Sequence, residues 1–154
     1  MPGVPHHHHT MAMHYAHKNN YARSYEYLLR AANTDHDAND YICAFKAMYM
    51  SKGADSAMAF LNKNENYFTN HSEWLIRKAL TSLALGRDND ALSLLSQISA
   101  EDKKTNADMI TWYSAAAYLG LGDRKKAGAL FKSLIASAEL WVPSKAVRLH
   151  FGLE

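Results

Sequence analysis

Cysteine is almost missing from this 154-residue chain: Cys43 stands alone, so no intramolecular disulfide can form. Glycine (7) and proline (3) are scarce too, which leaves few forced turns and favours helices joined by short connections. No apolar run approaches the roughly 20 residues that a membrane-spanning helix needs. A dominant sign of charge is also lacking, with 17 basic and 15 acidic residues and a formal net charge of +2. Nucleic-acid binding calls for a concentrated basic face. The largest basic clusters here, Arg124–Lys125–Lys126 and Lys103–Lys104, fall at expected turns or helix starts and read as solvated helix ends. Cys43 lies between Ile42 and Ala44, where a buried free thiol is expected. That favours a reducing, cytoplasmic setting, and any export signal would lie outside this chain.

What is present is an even mixture of apolar and charged residues. At 48% hydrophobic, the chain reads as folded rather than disordered. The His6–His9 run reads as a tag or a low-complexity head, so residues 1–10 are set outside the fold and residues 11–151 are taken as one domain. Apolar spacing predicts a short helix over 11–18 and a second over 21–32, followed by a polar connection over 33–40. Further helices are expected over 41–50, from about Asp55 through Leu61, and from Asn70 to Leu85. Asn70-x-x-Glu73 carries the logic of a capping box. Tyr67 and Phe68 are expected to point inward. Ala91–Ser99 forms the next helix and Ala100–Lys104 a turn; Thr105-x-x-Asp108 then caps a helix that ends at Gly120–Gly122. The last two helices span about 125–139 and, after Trp141-Val142-Pro143, about 143–150.

Two turns repeat each other. Gly86–Arg87–Asp88–Asn89–Asp90–Ala91 and Gly122–Asp123–Arg124–Lys125–Lys126–Ala127 each join two helical runs, with their alanines 36 residues apart. A weaker copy runs from Gly53 to Ala57, 34 residues before Ala91. Such a period signals a helical repeat array. Small alanines permit close helix crossing, and Leu95 or Phe131 one turn later fills the groove. With Ala115-x-x-Tyr118 and Ala127-x-x-x-Phe131, and with Leu75, Ala79 and Ala91-x-x-x-Leu95 one unit earlier, the chain resembles the tetratricopeptide repeat family. The likeness is strongest over 72–135. It departs from the pattern at Ser82, where a tyrosine is expected, and at the first unit, where Phe45 and Tyr49 fit only if the turn is one residue short. The resemblance implies an all-α, right-handed solenoid of helical hairpins, closed by a C-terminal capping helix.

In that architecture the first helices of successive units line a concave face. The expected groove is therefore drawn from Tyr49, Ile76, Leu80, Leu83, Met109, Trp112 and Tyr113, with Met50 beside them. An apolar groove of this kind suits an amphipathic helix or an extended peptide, with Trp112 as the main anchor. The expected function is that of a non-catalytic adaptor or chaperone-like scaffold. The alternative is self-association through end surfaces near Tyr15/Tyr21 or Trp141/Phe151, which would make a homodimer. Recognition of a C-terminal carboxylate, as in chaperone adaptors of this family, is disfavoured because the inner positions are apolar. Single-stranded RNA binding is disfavoured by the balanced charge. No cofactor and no metal are expected: His14 and His17 share a helix face but make a weak ligand set, and Asp35/Asp37 and Asp88/Asp90 read as caps. Neither a phosphate loop nor a cysteine–histidine constellation is present.

Overall fold

Nine α-helices, a single 3-10 turn (Glu65–Tyr67) and no strand make up the described part of the chain, residues 5–136 of a computed structural model. They are α1 (Pro5–His17), α2 (Tyr21–Asp35), α3 (Ala38–Lys52), α4 (Ala54–Lys63), α5 (His71–Ala84), α6 (Asp88–Ser96), α7 (Ala100–Thr105), α8 (Ala107–Gly120) and α9 (Arg124–Ala136). Each long helix packs on the next in sequence, with α6 passing over the short α7 to meet α8, and α5 also touching α8. The expected helix over 143–150 lies outside the described residues.

Local chemistry sets most helix starts. Asn20, Asp37, Asn70 and Ser99 each accept a hydrogen bond from a first-turn amide, satisfying donors that a helix end leaves unpaired. Asp123 does the same for the Lys126 amide. Asn70 performs its expected cap, accepting from Ser72 and Glu73. At Gly86 and Gly122 the backbone takes φ of +71° and +83°, a region where a Cβ is strained, which is why glycine opens both copies of the repeated turn.

Four local expectations change. α1 begins at Pro5, so it takes in the histidine run that was set outside the fold; His9 donates to the buried Asp40 at 2.8 Å and so has a partner in α3. The connection over 33–40 shrinks to His36 and Asp37, because Thr34 bonds back to the Arg30 carbonyl and extends α2. The expected turn at 100–104 is helical, as Ser99 caps the Asp102 amide. Thr105 belongs to that helix rather than capping the next; α8 starts after Asn106 with no side-chain cap bond.

Two apolar clusters hold the helices together. The larger runs from α1 to α6 and includes Leu28, Tyr41, Phe45, Leu61, Trp74, Leu75 and Leu95. The smaller joins α8 to α9 through Ala115, Ala127, Phe131 and Leu134. Ala57, Ala91 and Ala127, the residues that set the repeat spacing, are all buried. Phe68 is buried as expected. Tyr67 keeps 38% of its surface exposed, yet its ring lies flat over both His36 (4.9 Å between centroids) and Tyr41 (4.7 Å).

Candidate functional site

The seven residues expected to line a groove separate into two groups. Ile76 is only 4% exposed and belongs to the larger core, so it offers nothing to a partner; α5 is covered on that side by its neighbours. Tyr49, Leu80, Leu83, Met109, Trp112 and Tyr113 are half-buried. Tyr49, Leu83, Met109 and Tyr113 rest against the larger core and Trp112 against the smaller, while Leu80 belongs to neither among the described residues. The Trp112 and Tyr113 rings are neighbours at 5.7 Å.

Sequence reasoning missed a charge on this surface. Arg77, half-buried on α5, forms an ion pair with Glu73 one turn before it. Its field reaches Cys43 on α3 and Tyr113 on α8. Burial pushes both the Cys43 thiol and the Tyr113 phenol above their ordinary pKa, and the Arg77 guanidinium opposes that rise at each. The signal was legible: Glu73-x-x-x-Arg77 has the spacing that makes ion pairs along a helix face.

Beside this surface, α1, α2 and α3 frame a mainly apolar cleft of about 280 Å³. Met13, Ala16, Leu28 and Ala47 supply its apolar walls, and Cys43 lies within it. Met50, 60% exposed, and Lys46 stand at its edge. At the N-terminal end expected to self-associate, Tyr15 stacks on Tyr27 at 5.6 Å within the chain, and the Tyr21 hydroxyl donates to Asn19. Trp141 and Phe151 lie outside the described residues. No described helix is long and apolar enough to cross a membrane.

The described chain is thus an all-α protein, with half-buried apolar residues on α3, α5 and α8 and the charged Arg77 on α5. No protein-family model matches it, and no curated protein matches it either.

Proposed function

We propose that the chain is a right-handed solenoid of tetratricopeptide-like helical hairpins. On this reading it acts as a non-catalytic interaction module, and a partner's amphipathic helix or extended peptide lies along α3, α5 and α8. Sequential helix packing, the paired positive-φ glycines and the buried alanines at matching spacing support the architecture. One observation carries the function: Leu80 beside Arg77 on α5, and Met109, Trp112 and Tyr113 on the adjoining α8, are apolar groups left half-buried, and exposed Met50 edges a separate apolar cleft. Apolar groups half open to water gain more from a covering partner than from remaining as they are. Arg77 and Lys46 favour a partner with an acidic polar face.

The reading is tested by affinity capture followed by peptide mapping on the captured protein, with Leu80→Glu as the variant. Leu80 lies outside both described cores, so the variant should keep its thermal midpoint and its circular dichroism spectrum. The peptide bound by the wild-type chain should lose at least about tenfold in affinity, since a carboxylate would meet desolvation at the contact. Unchanged peptide binding by a folded Leu80→Glu protein rejects this surface.

A further inference from the structure

A second opening lies on a different face of α5. It measures about 340 Å³ and is walled by α4, α5 and α6. Its origin can be read from the repeat spacing. Ser82 lies 36 residues before Tyr118, the spacing that separates Ala91 from Ala127, so the two occupy equivalent places in successive helix pairs. In the later pair Tyr118 carries a phenol at that place, packed against the smaller core with the Lys126 ammonium 5.2 Å from the ring centre. In the earlier pair the buried Ser82, a far smaller side chain, borders the cleft.

The cleft opens to solvent and its lining is mixed. Met58 and Leu94 give it apolar wall, while Asn62 of α4, Ser82 of α5, Ser93 of α6 and Gln97 border it with hydrogen-bonding groups, together with two cations, Lys78 and Arg87. Lys78 is held in place, its ammonium 4.6 Å from the centre of the Trp74 ring, while Arg87 is exposed and only its backbone is fixed, through the amide bond to the Ser82 carbonyl at 2.8 Å. Among the described residues neither forms an ion pair, although the carboxylate of Asp90 also borders the cleft. Two cations against one acid leave an excess positive charge beside fixed hydrogen-bonding side chains.

We propose that this cleft binds a small organic oxyanion, a carboxylate or phosphate ester of a few carbons. Lys78 and Arg87 pair with its charge, and the Ser82 hydroxyl donates to it from the floor. The volume lies at the lower end of the range for small-molecule sites, which matches a compact ligand. This site is separate from the α3–α5–α8 surface, and its ligand is read from different residues.

The test is a two-dimensional amide NMR titration with succinate, with glycerol phosphate, and with uncharged succinamide. Saturable shifts near Ser82, Arg87 and Ser93 are expected with at least one anion and not with succinamide; the anion that saturates identifies the class. Ser82→Tyr restores the residue of the neighbouring pair, fills the space and should abolish the shifts. Lys78→Gln/Arg87→Gln changes residues at the rim and should raise Kd at least about tenfold by removing two charge-assisted contacts. The proposal is overturned if neither anion gives saturable shifts, or if a folded Ser82→Tyr protein shifts like wild type. Should Ser82→Tyr fail to fold, undiminished affinity in the double variant overturns it instead.

Discussion

Trp74→Phe should be among the most damaging conservative changes in the chain, and its cost can be assembled from contacts. The Trp74 indole N–H donates to the Leu61 carbonyl at 2.9 Å. That carbonyl lies in the last turn of α4, where helical donors have run out. Phenylalanine has no donor, so a buried acceptor loses its partner, at about 1–3 kcal/mol. Shrinking the ring removes buried carbon and leaves a small void, worth about 1 kcal/mol more. The Lys78 contact weakens with the smaller ring, by about 0.5 kcal/mol. The sum is about 2.5–4.5 kcal/mol. In a chain of this size each kcal/mol lowers the thermal midpoint by about 2–4 °C, so a drop of about 5–18 °C is expected. Thermal melts followed by circular dichroism measure it, and urea unfolding at unchanged slope confirms that the native state is what has changed. A midpoint within about 2 °C of wild type would refute the idea that Trp74 clasps α4 to α5.

Two further outcomes concern charge. His9→Ala leaves the buried Asp40 carboxylate without its partner and should lower stability by about 1 kcal/mol, since the histidine itself is partly exposed; chemical denaturation reads this directly, and no loss would show the head of α1 to be dispensable. Asp102 accepts hydrogen bonds from Ser72 (2.6 Å) and Ser99 (3.0 Å), which hold its carboxyl below the usual aspartate pKa. A depressed folded pKa means that the contribution to stability is complete above the unfolded value and is lost as pH falls through the folded one. Carboxyl NMR titration should therefore give Asp102 a low midpoint that rises in Ser72→Ala, and an unmoved midpoint would remove Ser72 as its cause.

How much of this was written in the sequence depends on the range of the interaction. Ala57, Ala91 and Ala127 announced their burial through spacing, Asn70 its cap, and Gly86 and Gly122 their turns, because each is decided within a few residues. Ile76 was placed in the groove when it belongs to the core; which side of α5 its neighbours cover is a tertiary matter that helical period alone does not reveal. That the histidine run joins a helix was not readable locally, because the contact of His9 with Asp40 spans 31 residues. Asp102 reaches Ser72 across 30 residues, a contact that no local pattern reveals, although Ser99-x-x-Asp102 is a local cap signal for the helix itself. Of the proposed surface, the half-buried apolar candidates came from the register, while Arg77 went unweighed despite its helical spacing to Glu73.

The Tyr67 ring, flat over His36 and Tyr41, bears on how the chain comes apart. In a linear stack each helix pair feels only the pair before it and the pair after it, and the ends fray one at a time. Tyr67 sits in the connection from α4 to α5 but grips the corner between α2 and α3, so it spans a joint that nearest-neighbour coupling would leave alone. It works as a second-neighbour term, lengthening the distance over which one helix senses the state of another. Opening α2 would strip a contact from the α4–α5 joint, so the N-terminal helices are expected to melt together as a block.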